Sequence, residues 1–457
     1  MRRTLALQPA RRCGISVAGR WRSRGLRIHD LAAIALALAA VSAPPAAAGQ
    51  TEATAASPLD ERAADIAAVL RGERDPAQVF TAQFIAAVPP DQLRAIGTQM
   101  IASHGPLLGA SITGRESEFA ATLVLDFERA RVSGPVQLSA TPPHQVAGLL
   151  IRNVEPKGDS REKIMADLGA LPGSVTAFYA PLDPAATPLL AHRAEQPMAL
   201  GSTFKLYVLS ALAHEIAAGR RQWDEVVRLD QRSFPSGAMR DWPRGAPVTL
   251  HGLATAMISV SDNTATDQLI AVLGRDVVER EVRSTHAKPA QMLPLLTTLE
   301  FFVLKADLAL ARRFAQSNEQ EQARLIAELS ARLRGDADNA PPLTLDRPTA
   351  IDSVEWFATP ADLQRLLGRL AALSDPTARA IMAVNPAVLA GRKADFPYIG
   401  YKGGSEPGVL NLTWLLEAPG GEWRILTLGW SNPAEEVDAA QLTAMAQRIL
   451  ALGAPAP

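Results

Sequence analysis

The sequence predicts an α+β protein in two parts: a small α+β domain at 59–153, then a larger one at 171–457. In the larger part, an antiparallel sheet from both chain ends covers a helical subdomain. Three observations lead there. Strand-like runs near Val175–Ala180 and Trp423–Trp430 flank a long helical middle. Upstream, three helical patterns precede several short β-branched runs, the order of a segregated α+β fold. The chain has 457 residues, 47% hydrophobic and 20% charged, enough for two or three domains.

Residues 1–48 hold eight Arg, no Lys and the single acid Asp30, a charge of +7 that leaves −8 for the rest of a chain with formal net charge −1. The uncharged run Leu31–Ala43 follows, then Pro44-Pro45 and Ala46-Ala47-Ala48-Gly49. A basic stretch, an apolar run too short to cross a bilayer comfortably and small residues at its end predict a cleavable secretory signal over 1–48. The expected product is secreted or periplasmic, with no membrane insertion after cleavage. The sole cysteine, Cys13, leaves with that segment, and with it go disulfides, thiolate metal sites and a cysteine nucleophile. The acidic remainder offers no electrostatic basis for binding nucleic acid.

Residues 49–58 read as a flexible leader. Leu59–Arg71, Pro76–Ala87 and Pro90–Ser103 read as helices, the last stopped by His104-Gly105-Pro106. Ala121–Phe127 and Val146–Val154 read as strands, punctuated by Gly134-Pro135 and Pro142-Pro143. Residues 154–170, with Pro156-Lys157-Gly158-Asp159, read as a linker. Strands are then expected at Val175–Ala180 and Pro188–Arg193, and a long helix from Ser202 to about Ala218. Helices follow across Leu250–Val282 and Leu299–Arg334. The last third returns to strands at Trp414–Glu417 and Trp423–Trp430 around Pro419-Gly420-Gly421, and closes with a helix over Pro433–Leu452.

Three motifs occur in order: Ser202-Thr203-Phe204-Lys205, Ser261-Asp262-Asn263 and Lys402-Gly403-Gly404-Ser405. On a helix, positions i and i+3 share a face, so Ser202 Oγ and Lys205 Nζ are expected to meet. A serine hydroxyl becomes a useful nucleophile once a base takes its proton. Lysine can be that base when burial and a nearby cation lower its pKa, and Lys402 is a candidate cation. Ser202 also stands at the expected helix start, where free N–H groups favour a developing oxyanion. Each motif alone is weak. Ser160-Arg161-Glu162-Lys163 matches the first and reads as a solvated linker, Ser-Asp-Asn is a common helix cap, and Lys-Gly-Gly is a common turn. Context gives the trio its weight: Ser202 follows two strand candidates, opens an apolar helix and lies 59 residues before Ser261.

Other chemistries find no support. The seven His form no metal-ligand cluster, and His214-Glu215 lacks a second His four residues on. No Gly-x-Ser-x-Gly elbow and no phosphate-cradling glycine loop occurs. Trp356, Trp414, Trp423 and Trp430 are expected in the core or a pocket wall.

With Ala199–Lys205, Val248–Gly274 and Gly400–Ser405 as its densest segments, the sequence over about 170–457 resembles the class A β-lactamases and related penicillin-recognising serine enzymes. Through Lys402–Asn411 and its two-part layout it most resembles the β-lactamase-like proteins similar to that of the clavulanic-acid biosynthetic cluster. In that subgroup a steroid-isomerase-like α+β domain precedes the hydrolase domain, which suits 59–153. The resemblance implies Ser202 as the acylated residue, Lys205 as base, Ser261 as proton relay to the leaving nitrogen and Asn263 as a contact to the substrate amide. It implies Lys402 and Ser405 as holders of a substrate carboxylate, and the N–H groups of Ser202 and Ser405, beside Gly404, as the oxyanion hole. It implies no cofactor and no metal, and a small-molecule substrate, a β-lactam or related amide or ester.

One departure stands out. The class A enzymes carry Glu-x-x-Leu-Asn after Ser-Asp-Asn, whose Glu activates the deacylating water, and no such segment occurs here. Glu300 lies 39 residues after Ser261, but Leu304 stands where the Asn would be, and Thr297-Thr298-Leu299-Glu300 is a capping-box pattern. Acylation is therefore expected to outpace deacylation. The same residues suit an esterase or D-alanyl peptidase that β-lactams trap, and a non-hydrolytic penicillin-binding sensor protein. The insertion at 305–345 is positioned to border the site.

Overall fold

A computed structural model describes residues 57–336, 345–392 and 395–452. The expected signal segment and nearly all of the leader lie outside these residues, as does part of the 305–345 insertion. The first helix, α1 (Pro58–Leu70), starts within the expected leader because Ser57 caps it and Pro58 occupies its first turn. Two short helices, α2 (Pro76–Val79) and α3 (Ala82–Ala87), replace the single one expected. Phe80 leaves helical conformation to bridge Val146, and Thr81 caps anew by accepting from Phe84 N at 3.2 Å. Helix α4 (Pro90–His104) ends at Gly105, whose φ of 81° a glycine adopts without strain.

Five antiparallel strands follow: β1 (Leu107–Thr113), β2 (Ala120–Phe127), β3 (Ala130–Leu138), β4 (Val146–Leu149) and β5 (Asn153–Pro156). The order is β1-β2-β3-β4, with β5 also on β3. Alternation along β2 puts Ala121, Leu123, Leu125 and Phe127 inward, in one core with Leu59 and Ile66 of α1.

Residues 154–170 are not one connection. Asn153–Pro156 complete this first sheet, and α5 (Arg161–Ala170) buries Ile164 and Leu168 in the core of the second. Ser160-Arg161-Glu162-Lys163 is the cap and first turn of α5 rather than a linker, with Ser160 Oγ accepting from Lys163 N at 3.1 Å, and Arg161, Glu162 and Lys163 are exposed to solvent. Asp159 and Asp167 each bind Arg448 at 2.7 Å, tying this stretch to the last helix of the fold.

Beyond α5 run β6 (Ser174–Pro181), β7 (Leu190–His192), β8 (Met198–Ala199), α6 (Lys205–Ala217), β9 (Val226–Leu229) and β10 (Ala246–Thr249). The helical middle comprises α7 (Leu250–Ser259), α8 (Asn263–Leu273), α9 (Arg275–Thr285), α10 (Thr298–Ala306), α11 (Leu308–Gln316) and α12 (Glu319–Asp336). Then come β11 (Phe357–Ala358), α13 (Pro360–Ala371), α14 (Thr377–Met382), β12 (Tyr398–Glu406), β13 (Val409–Glu417), β14 (Trp423–Ser431) and α15 (Ala439–Ala451). The sheet order is β12-β13-β14-β6-β7, so a C-terminal strand pairs with the first strand of the region, antiparallel throughout. Both faces are covered. Leu410, Leu412, Trp414 and Leu416 of β13 share a core with α5 and α15, while Leu415 and Ile425 face the core of α6 and its neighbours. That double burial explains the near-continuous apolar run of β13. Strand β12 was not evident in the sequence, since Gly400, Gly403 and Gly404 dilute its strand character. Among the described residues, no helix is long and apolar enough to cross a membrane.

Candidate active site

Strand β8 leads into a 3-10 turn, Gly201–Phe204, and α6 begins only at Lys205. Ser202 thus sits in a tighter turn than expected, with Gly201 at φ 47° opening it. The Lys205 side chain is fully buried and does not hydrogen-bond Ser202. Its Nζ donates to Asn263 Oδ1 and the Ser261 carbonyl, both at 2.7 Å, and to Ser261 Oγ at 3.1 Å. An ammonium has three protons, so all are engaged when Lys205 is charged. Burial first, then the charge of Lys402, pushes its pKa well below the ordinary lysine range, against the pull of Asp267 and Asp262.

Ser261 stands where α7 gives way to α8, at φ 58°, a left-handed conformation uncommon outside glycine. Its carbonyl accepts from Lys205 and from Ser236 Oγ at 2.7 Å. Asp262 holds the junction: one oxygen caps α8 through Ala265 N and the other accepts from Met239 N, both at 2.9 Å. The Ser261 hydroxyl consequently lies between two lysines, 3.1 Å from Lys205 Nζ and 3.1 Å from Lys402 Nζ. Asn263 is buried with its amide engaged at both ends, accepting from Lys205 and donating to the Phe234 carbonyl at 3.1 Å. It serves Lys205 directly while also lining the cavity.

Lys402, on β12, is buried, and desolvation lowers its pKa to about 7. Two residues on, Gly404 lets β12 press against the Ser202 turn. A Cβ at Gly404 would lie 2.0 Å from the Leu200 carbonyl oxygen and 2.4 Å from Ser202 N. A Cβ at Gly201 would lie 3.1 Å from Ser405 N, and the Thr203 hydroxyl donates to the Lys402 carbonyl at 3.4 Å. Ser202 N and Ser405 N therefore belong to adjoining backbones, and Ser405 itself is exposed.

These groups border one cavity of about 550 Å³, lined by Ser202, Ser261, Asn263, Lys402, Gly404 and Ser405 among others. That volume suits a drug-sized molecule. One wall is aromatic. Phe204 and Phe301 stack on Trp356 with ring centroids 3.8 and 4.4 Å away, and Phe302 is edge-on to Phe301. Phe301 and Phe302 of α10 reach the cavity, whereas no described residue of α11 or α12 does. Trp414 and Trp430 are buried in the sheet, and Trp423 packs on Tyr398.

Glu300 is off the cavity wall. Its carboxylate accepts from Thr297 N at 2.8 Å to close the capping box of α10, and it also binds Arg275 at 2.7 Å and the Ser330 hydroxyl. The carboxylates that line the cavity with Ser202 are ones the sequence did not single out. Glu355 accepts through Oε2 from Gly201 N at 3.2 Å and Trp356 N at 2.9 Å. Glu406 follows Ser405 at the end of β12 and forms an ion pair with Lys305, whose Nζ is also 3.8 Å from Glu355 Oε1. Burial, then the Glu355 charge, pushes the Glu406 carboxyl up to about 9. Only adjacency of Glu406 to the Lys402 motif could have drawn attention to this group. Among the described residues, no cluster of His, Cys, Asp and Glu is suited to hold a metal ion.

Residues 160–384 match the family model of the β-lactamase enzyme family. The match opens at the cap of α5 and takes in both the Ser202 and the Ser261 motifs. It supports a β-lactamase-like fold for this region, and the mixed α+β class of the second sheet with its helical middle agrees with it. No curated protein matches the chain. Similar solved structures include a β-lactamase from Sphaerobacter thermophilus DSM 20745, at 21% identity and TM-score 0.44, over 64% of this chain and 96% of that one. A β-lactamase from Chitinophaga pinensis DSM 2588 is 16% identical with TM-score 0.44, over 64% and 96%. An acyl-enzyme complex of PBP-A with penicillin-G is 16% identical with TM-score 0.44, over 64% and 95%.

Proposed function

We propose that the protein is an exported serine hydrolase that opens a β-lactam or a related amide or ester through an acyl-enzyme on Ser202. One observation carries this reading: a hydroxyl, Ser261 Oγ, is held between two buried lysines on the same cavity that Ser202 lines. Lys205, stripped of one proton by its surroundings, accepts the Ser202 proton as the hydroxyl attacks the carbonyl carbon. The carbon–nitrogen bond then breaks, and Ser261 passes a proton to the leaving nitrogen, resupplied by Lys402, which takes one back from solvent. Ser202 N and Ser405 N stabilise the oxyanion, and Lys402 with Ser405 takes the substrate carboxylate. In this reading Asn263 acts first by holding Lys205. Residues 1–48 direct export, 59–153 form a separate steroid-isomerase-like domain, and the two-part layout is that of the two-domain proteins of the clavulanic-acid type.

Intact-mass spectrometry after adding penicillin tests the reading. The expected outcome is a single penicilloyl adduct, absent in Ser202→Ala. An unchanged adduct in that variant would sink it. An esterase or peptidase reading draws on Glu300, whose carboxylate is fully engaged away from the cavity, so that it offers no base for rapid lactam turnover.

A further inference from the structure

Two buried carboxylates lie beside the Ser202 turn, on the wall of the same cavity, and neither belongs to any motif of the acylating site. Glu355 is fixed by two backbone N–H groups through one oxygen, and one of these is Gly201 N, the residue before Ser202. Its other oxygen, Oε1, is buried without a hydrogen-bond partner, as is Oε2 of Glu406. The two carboxyls lie within hydrogen-bond reach of each other, so a proton shared between them would pair both oxygens. One cation, Lys305, serves both carboxylates, and its side chain is fully buried. Two carboxylates with one cation do not both ionise easily at short range, so the pair tends to keep one proton between them.

We propose that the Glu355–Glu406 pair, anchored by Lys305, is the proton acceptor for the water that releases the acyl group from Ser202. This rests on the acyl-enzyme reading above. A water admitted from the cavity gives one proton to the Glu355 carboxylate while its oxygen bonds to the acyl carbonyl carbon. The tetrahedral intermediate collapses with cleavage of the carbon–Ser202 Oγ bond, and Oγ takes a proton from the Lys205 ammonium. The freed acid keeps the second water proton until it ionises. Glu355 then loses its proton to solvent, and Lys205 is left neutral, as the next acylation requires. No oxidant, metal or further reactant is required. The pair takes the role left open by the missing Glu-x-x-Leu-Asn segment, from a different part of the chain.

The test follows the penicilloyl adduct by intact-mass spectrometry in wild type, Glu355→Gln and Glu406→Gln. Glutamine at 355 keeps an acceptor for Gly201 N and Trp356 N, so the turn remains supported. General bases of this kind contribute about 10²–10⁴-fold, so the adduct in Glu355→Gln is expected to persist at least ~100-fold longer, with its formation rate changed less than about threefold. Glu406→Gln is expected to lengthen it less, since the directly contacting base remains. A merely structural role would slow formation and release together, and that result would overturn the proposal. An adduct whose lifetime is unchanged in both variants overturns it while leaving acylation on Ser202 intact. No adduct on wild type at all would sink the acyl-enzyme reading and this inference with it.

Discussion

Two ionic clusters meet at the Ser202 turn, and they are built in opposite senses. On one side, two buried lysines crowd a serine hydroxyl, with Asn263 as the neutral anchor. On the other, two buried glutamates share a single lysine. Burial penalises every charge in both, but the excess charge differs in sign. The lysine side is driven to release a proton and the glutamate side to keep one, as the lowered pKa of Lys402 and the raised pKa of Glu406 illustrate. Both are tied to the same short stretch of backbone: Gly201 N donates to Glu355, and the Thr203 hydroxyl donates to the Lys402 carbonyl. A two-step acyl transfer needs proton movement at both stages, and the contrast offers a separate group for each.

Separating the clusters experimentally should show that division. The largest effect is expected from Lys205→Met, which removes the acylating base and slows adduct formation by about 10²–10⁴-fold. Rapid-mixing mass spectrometry checks this, and an unaltered formation rate would assign the base elsewhere. A smaller effect should come from pH. Lys402 is cationic below about pH 7 and neutral above it, so an anionic penicillin should lose affinity as pH rises through that value. A charged hydrogen bond is worth about 1.5–3 kcal/mol, so the loss should reach roughly 10- to 100-fold. An uncharged ester should show no such loss in KM, and equal behaviour of the two substrates would remove Lys402 from carboxylate binding. The smallest effect is expected from Glu300→Gln. It should cost about 1 kcal/mol in thermal or urea unfolding through the weakened cap, with the adduct lifetime unchanged. A prolonged adduct would instead transfer the deacylating role to Glu300.

The two clusters also differ in how readily the sequence reveals them. Ser202, Lys205, Ser261 and Lys402 stand in short contiguous patterns whose spacing carries chemical meaning, and the structure brings Ser202, Ser261 and Lys402 to one cavity with the Lys205 ammonium bonded to Ser261 behind its wall. The detail of their contacts was not legible. A regular helix through 202–205 would have turned Lys205 toward Ser202, but the 3-10 turn changes the angle between them, and Ser261 with Asn263 offers the ammonium better acceptors. Lys305, Glu355 and Glu406 are scattered over about a hundred residues, and isolated charges in sequence ordinarily mean solvated surface. Only tertiary packing shows that all three are buried together. The same blindness to packing hid β12, whose glycines weaken its strand signature, and α5, whose few apolar residues look like a connection until Ile164 and Leu168 are seen in the core. The Thr297–Glu300 capping box, by contrast, is a local pattern, and the local reading holds.

Gly404 has a consequence beyond local fit. Because its missing side chain is the clearance between β12 and the turn at 200–203, it works as a gauge that sets how far apart the floor and rim of the cavity stand. A methyl group there would wedge the two backbones apart, displacing the serine, its paired N–H groups and the carboxylate held by Gly201 N in a single movement. The floor is thus a fixed dimension of the molecule. Room for a bulkier substrate has to come from the walls, where Phe302 and Leu410 can change size without moving Ser202.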